Sequence, residues 1–272
     1  GGEVEVLNQL QMGAIQGMGC SSVASTNLGP RFGLVNLPFL IDTNEKLEKF
    51  IGNKTLYNHF LMAMDHQGIM ALDVTTYGSY GWASTEPISS IGDMKKAKFR
   101  IAEAAVNQLT YKQWGVNPVP MPWPDVPVAL KQGVITALDH TDLVCDLTKK
   151  FEVAKYYTEI NYAKGLFIWI FNKAWFNSLP ADLQKTFREV IQDVCADYRA
   201  QGAQQEIDVK SKIKEAGIQI FQLPPAEMDI LRKQGNGVHE KYADEINQLY
   251  KGDTYRPKNF LKEVQDSVGY KP

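Results

Sequence analysis

Arg100 carries the strongest chemical signal in this chain. Six arginines occur among 272 residues, and this one sits inside an apolar strand pattern, Phe99-Arg100-Ile101. The planar fork of a guanidinium pairs with a carboxylate through two parallel hydrogen bonds, so a half-buried arginine invites an anion. Trp123 lies in Met121-Pro122-Trp123-Pro124, where rigid prolines on both sides suit an aromatic wall at a loop edge. Asp139 and His140 close another short apolar run. Parallel strands end on the same side of their sheet, so Arg100, Trp123 and His140 are expected to converge on one crevice, where open α/β sheets hold ligands. A neutral imidazole donates one hydrogen bond and a charged one donates two, so His140 suits a second anionic or hydroxyl oxygen. Acting near its ordinary pKa, it would make binding strengthen as pH falls from about 8 to 6. Each residue has a structural alternative: an arginine at a strand end, a core tryptophan, a histidine fixing the strand through Asp142 or the backbone.

Catalytic and metal chemistry find less support. The histidines are His59, His66, His140 and His239, and no His-x-x-x-His pair occurs for zinc. Gly78-Ser79-Tyr80-Gly81 resembles a nucleophile elbow only loosely, because no glycine sits two before the serine. There is no Walker loop, no G-x-G-x-x-G after a strand and no acidic calcium loop. Cys20, Cys145 and Cys195 lack C-x-x-C spacing and read as small buried hydrophobes. The expectation is a binding protein with no cofactor and no metal, not an enzyme.

Composition agrees. The chain is 44% hydrophobic and 11% aromatic, which excludes disorder. Lys+Arg is 29 against Asp+Glu 31, a balance that argues against nucleic acid and against a polybasic membrane patch. No apolar run reaches the roughly 18 residues of a membrane span, so no membrane insertion is expected.

The elements that must position these residues alternate. The spacing predicts a helix over 3–12, a strand over 14–20, a small-residue loop over 21–30, and helices over 42–50 and 55–67. A buried strand over 68–75 is followed by a Gly/Ser/Tyr loop. Then come a strand (97–101), a helix ended by Gly115 (102–114), a strand (117–121), a helix with Asp125 as N-cap and Gly133 as stop (125–132), and strands over 135–139 and 166–171. This alternation indicates α/β layering with mainly parallel strands. Residues 179–216 form one very long helix. Its apolar stripe is Leu183, Phe187, Val190, Ile191, Val194, Cys195 and Tyr198. A strand over 218–223 and further helices finish the chain.

Several ordered blocks resemble a known family. Lys98-Phe99-Arg100-Ile101, Gly115-Val116-Asn117-Pro118-Val119-Pro120-Met121-Pro122-Trp123, and Val128-Ala129-Leu130-Lys131-Gln132-Gly133 running on to Asp139-His140 are similar to the DctP-type solute receptors of tripartite ATP-independent periplasmic (TRAP) transporters. Met12-Gly13-Ala14-Ile15-Gln16-Gly17-Met18, Leu37-Pro38-Phe39-Leu40-Ile41, Lys150-Phe151-Glu152-Val153-Ala154-Lys155-Tyr156-Tyr157 and Trp175-Phe176-Asn177-Ser178-Leu179-Pro180-Ala181-Asp182-Leu183-Gln184 fit the same pattern.

The resemblance implies a two-lobed α/β periplasmic-binding-protein fold, with a ligand cleft between the lobes and a long helix spanning both. Lobe 1 is expected over 1–77 plus about 167–205, lobe 2 over 78–166 plus about 206–250, and a C-terminal segment over 251–272. The family's first strand–helix unit is expected to be missing. The implied function is a periplasmic receptor that binds a small organic acid and delivers it to TRAP membrane subunits. A ligand sensor feeding a signalling partner, or an enzyme on the same fold, are the alternatives. The family's ligand arginine falls on Arg100, its aromatic wall on Trp123, and the Glu and Asn of its D-G-Q-E-N block on Asp139 and His140. A second arginine of sialic-acid-binding members falls on Tyr80. Ser21, Ser22, Thr75, Thr76 and Tyr77 fall in loops that touch ligand in the family, and Leu166 and Phe167 complete the implied contacts.

Overall fold

The computed structural model describes residues 2–249 and 257–271. In chain order its elements are α1 (Glu3–Gln11), β1 (Gly17–Ser21), α2 (Ser22–Ser25), α3 (Asn44–Gly52), α4 (Lys54–Leu61), β2 (Ile69–Ser84) and α5 (Ile91–Lys96). Next come β3 (Phe99–Ile101), α6 (Ala105–Gln113), β4 (Val119–Pro120), α7 (Val126–Lys131), β5 (Ala137–Thr141), α8 (Asp142–Leu147), β6 (Tyr156–Glu159) and β7 (Lys164–Asn172). The last are α9 (Lys173–Ser178), α10 (Ala181–Ala200), α11 (Gly202–Glu215), β8 (Gln219–Gln222), α12 (Pro225–Leu249) and α13 (Pro257–Val268). Of the expected C-terminal segment, 251–256 and 272 lie outside the described residues.

β2 organises everything else. Its first part pairs with β7 and its last five residues pair with β5, from Tyr80 opposite Thr141 to Ser84 opposite Ala137. The path through the sheet is β1-β7-β2-β5-β3-β4, with β6 and β8 branching from the second half. One strand thus belongs to the sheets of both lobes. The partner changes at a register shift between Thr76 and Ser79, where Gly78 takes φ +100, a left-handed value that glycine adopts without steric cost.

Two expectations change here. The Gly/Ser/Tyr segment is strand, because β2 continues through it to Ser84. Every residue of β2 except Met70 is buried, so its polar residues show no alternation and mimic a loop. The sheet is mixed and not mainly parallel. The β3–β4, β3–β5 and β6–β8 pairings are parallel, but β5, β6 and β7 run back against β2, which passes through both lobes.

The long helix also differs. It breaks at Gln201 into α10 and α11. At the break a Cβ on Gly202 would stand 3.0 Å from Thr76 Cγ2, so glycine lets the helix bend tightly onto β2. α10 is tied to β2 by Arg199, whose Nη1 donates to Asp73 Oδ1 at 3.1 Å and to the Val74 carbonyl at 2.7 Å. α11 packs on α8. The predicted stripe is split. Phe187 and Ile191 pack on Phe171 and Phe176, and Cys195 is buried, but Leu183, Val190 and Val194 are each more than half exposed. Their spacing gave periodicity but not the side that meets the sheet.

The main core runs from Leu7 and Phe32 through Trp82, Phe99, Tyr111 and Trp114 to Phe260. A second cluster, around Leu130, Leu138, Phe151 and Ile213, covers the other side of the β5 sheet. Cys20, Cys145 and Cys195 are free and buried. Asp125 occupies the N-cap position of α7, but its side chain makes no capping bond, because its backbone is already helical at φ −84, ψ −18. Among the described residues no helix is long and apolar enough to cross a membrane.

Candidate functional site

The parallel trio β4-β3-β5 brings the first-named residues together. Arg100 stands on β3, Trp123 follows β4, and His140 lies on β5, inside the strand and not beyond its end. With Asp139, Tyr77, Tyr80, Ser21 and Phe167 they line one cavity of about 310 Å³. Ser22, Thr75, Thr76 and Leu166 do not line it. Ser22 Oγ donates to Asn36 Oδ1 at 2.8 Å in the core. Thr75 and Thr76 are buried opposite Phe167 and Leu166 on β7, with Thr76 against Gly202, and Leu166 is a core residue.

Arg100 is 4% exposed. Its Nε and Nη2 both donate to the Met121 carbonyl, at 2.9 and 2.7 Å, which fixes the guanidinium plane. Its Cζ stands 5.1 Å from the centre of the Trp123 ring. Among the described residues no carboxylate lies within ion-pair distance of it, and Nη1 donates to no protein group. Burial pulls its pKa down, while the Asp139 charge opposes that pull.

Lys150, which sequence reasoning missed, is a second buried cation. Its Nζ stands 4.4 Å from the Trp123 ring centre and donates to the Thr148 carbonyl at 3.2 Å. Burial lowers its pKa. The signal was present in the Lys150-Phe151-Glu152 block, but nothing in that spacing ties it to Trp123, 27 residues away in sequence.

His140 packs on Trp123 with ring centres 4.4 Å apart. Its Nδ1 accepts from the Thr141 backbone N–H at 2.9 Å, which assigns the proton of the neutral ring to Nε2. Burial, then the charges of Arg100 and Lys150, pull its pKa down to about 3. This differs from the expected titration near neutrality: His140 is neutral across pH 6–8, and its bond to the backbone is the structural role that the sequence offered as the alternative.

Asp139 is 2% exposed and accepts at Oδ2 from Tyr162 Oη at 2.7 Å and Asn107 Nδ2 at 3.1 Å. Burial pushes its pKa up to about 6, with the tyrosine and Arg100 opposing. Tyr77 and Tyr80 share a hydroxyl–hydroxyl bond of 2.7 Å, and burial raises both phenols. Phe167 lies 4.6 Å from the Tyr77 ring. Ser21 caps α2 through a 3.1 Å bond from Ala24 N–H, and its hydroxyl donates to Glu3 Oε2 at 2.8 Å. Glu3, Val23, Asn107 and Val144 line the cavity as well and were not foreseen.

The cavity therefore has aromatic walls, one buried cation with no ion-pair partner among the described residues, and the carboxylates of Glu3 and Asp139, with no nucleophile–base pair. Larger grooves of about 570 and 550 Å³ occur elsewhere. In the second of these the lysine and arginine are already met by Glu206 and Asp42. Among the described residues no group of His, Cys, Asp and Glu is arranged to hold a metal.

Comparison with known proteins agrees with this geometry. Residues 1–245 match the family model DctP, bacterial extracellular solute-binding protein, family 7. The 2,3-diketo-L-gulonate-binding periplasmic protein YiaO of Escherichia coli (strain K12) is 26% identical over 230 residues, which are 81% of this chain and 67% of that protein. The C4-dicarboxylate-binding periplasmic protein DctP of Vibrio cholerae is 25% identical over 223 residues, 82% of this chain and 67% of that protein. The sugar acid binding protein DctPAm from Advenella mimigardefordensis, solved with galactonate, superimposes with a TM-score of 0.89 at 21% identity, covering 99% of this chain and 84% of that one.

Proposed function

We propose a ligand and a mode of binding for this chain, which belongs to bacterial extracellular solute-binding protein family 7. It is a solute receptor, not an enzyme, and its ligand is a small organic acid. One observation carries this reading: Arg100 is buried at a cavity with no protein carboxylate to pair it and one Nη free to donate. A buried guanidinium is costly unless an anion compensates it. The ligand's acid group meets Nη1 of Arg100 and Nε2–H of His140. Its body lies against Trp123, Phe167 and Tyr77, and burial among these aromatic rings strengthens the charge pairing.

Lobe 1 comprises 1–77 with about 167–205, and lobe 2 comprises 78–166 with about 206–250. The lobes close over the acid by bending at Gly78 and Gly202. In the periplasm the closed receptor presents the ligand to TRAP membrane subunits. The sequences and ligands of relatives such as the diketogulonate and dicarboxylate receptors support an organic acid.

A thermal-shift screen against galactonate, galacturonate, succinate and related acids tests this. A ligand at 100 times its Kd adds about 2.7 kcal/mol of stability. An acid that stabilises wild type and fails to stabilise Arg100→Met fits the reading. Stabilisation only by neutral or cationic solutes overturns it.

A further inference from the structure

The cavity carries both signs of charge. Arg100 and His140 enter it from β3 and β5, whereas Glu3 enters from the first turn of α1, which packs on β1 and β7. The Glu3 oxygens are held in place: Oε1 accepts from the Ser21 N–H at 2.7 Å and Oε2 from Ser21 Oγ at 2.8 Å. Each carboxylate oxygen has two acceptor sites, so one on each is left over for the cavity. Among the described residues no lysine or arginine lies within ion-pair distance of Glu3. Asp139 lines the same cavity but stands on β5, the strand paired with that of Arg100, so its charge acts near the arginine.

An acid bound at Arg100 and long enough to cross the cavity meets the Glu3 acceptors and their negative charge. A second carboxylate there meets like charge in a site of low dielectric. A hydroxyl or an ammonium meets a fixed acceptor instead. We infer that Glu3 determines specificity: it admits acids with a hydroxyl or ammonium donor at the end remote from the carboxylate, and it excludes dicarboxylates. Selection of this kind works by repulsion of the wrong ligand as much as by attraction of the right one. The inference rests on Arg100 holding the carboxylate.

Calorimetry with matched acids tests it. One set is butanoate, γ-hydroxybutanoate, γ-aminobutanoate and succinate. A second is para-toluate, para-hydroxymethylbenzoate and terephthalate. A third pairs galactonate with its dicarboxylate, galactarate. In any set that binds, the donor-ended acid should bind at least about tenfold more tightly than the dicarboxylate. Glu3→Gln, whose amide offers a donor and still accepts from Ser21, should bring the two within about threefold. A dicarboxylate that binds wild type as tightly as its donor-ended partner overturns the proposal. So does an unchanged ranking in Glu3→Gln with wild-type melting behaviour. If Glu3→Gln fails to fold, the wild-type ranking still decides. Arg100→Met separates the two readings: donor-ended binding that survives it removes the arginine anchor while leaving the Glu3 ranking to be scored. No binding by any member of the three sets removes both.

Discussion

The buried ammonium of Lys164 is paired with the Glu206 carboxylate, and Ser79 joins them. Lys164 Nζ donates to Ser79 Oγ at 3.1 Å, and Ser79 Oγ donates to Glu206 Oε2 at 3.0 Å. The three residues come from β7, α11 and β2, beside the register shift where β2 changes partner. Burial lowers the pKa of Lys164 and Glu206 opposes this. Glu206→Gln would leave the ammonium uncompensated and should cost about 3 kcal/mol in urea denaturation. Lys164→Met combined with Glu206→Gln should recover most of that loss. Full wild-type stability in the single variant would show that the pair is not a fastening.

At the cavity, Arg100→Lys should weaken binding of any acid found by screening by about 100-fold. A point ammonium cannot hold both the Met121 carbonyl and the ligand in one plane. Titration calorimetry on the two proteins gives the ratio, and equal affinities would remove the clamp.

The pH dependence of binding should come from Asp139 and not from His140. A bound anion disfavours the nearby Asp139 carboxylate, whose pKa is already pushed up to about 6, so binding takes up a proton there. Affinity should rise as pH falls through 6. His140 titrates far lower, at about 3, and contributes nothing in this window. Wild type and His140→Asn should share one slope between pH 8 and 5, while Asp139→Asn should be flat until the ligand's own acid protonates. A slope that vanishes in His140→Asn and persists in Asp139→Asn would reverse the assignment.

Acid should also loosen the C-terminal part. His239 is 2% exposed; its Nε2 donates to the Pro38 carbonyl at 2.9 Å and its Nδ1 accepts from Gln265 Nε2 at 3.2 Å. Burial pulls its pKa down to about 4. A depressed histidine favours the folded state fully above the unfolded value near 6.5, and that stability is lost as pH falls toward 4. The span corresponds to about 3 kcal/mol. Urea titrations at pH 7 and 4.5 should show a smaller loss in His239→Gln than in wild type; His140 acts in the same direction, and the raised carboxyls of Asp139 and Asp142 oppose it.

The sequence made the parallel trio legible. Apolar runs ending at Arg100 and Asp139-His140 placed these residues on neighbouring strands, with Trp123 just after a third, and the residue type of Arg100 indicated an anion. What the sequence hid has physical causes. Glu3 and Lys150 reach the site through tertiary packing, from 97 and 50 residues away from Arg100, a separation that no local pattern encodes. The His140 pKa depends on burial and on two cations that enter from other elements. The second part of β2 was obscured because a strand covered on both faces loses its alternation, and its serines, threonines and glycines then read as a turn. Thr76 and Leu166 alternate with Tyr77 and Phe167 and so point to the other face, whereas Thr75, paired with Phe167, shares its face but does not line the cavity.

The continuity of β2 bears on how the molecule comes apart. A two-lobed protein joined by a pliable tether melts as two units, and each can be produced alone. Here neither lobe owns its sheet. Excising either one removes a central strand from it and bares the edges of β7 or of β5 to water and to other chains. The lobes therefore share one stability, and heat or denaturant should melt them in one cooperative transition.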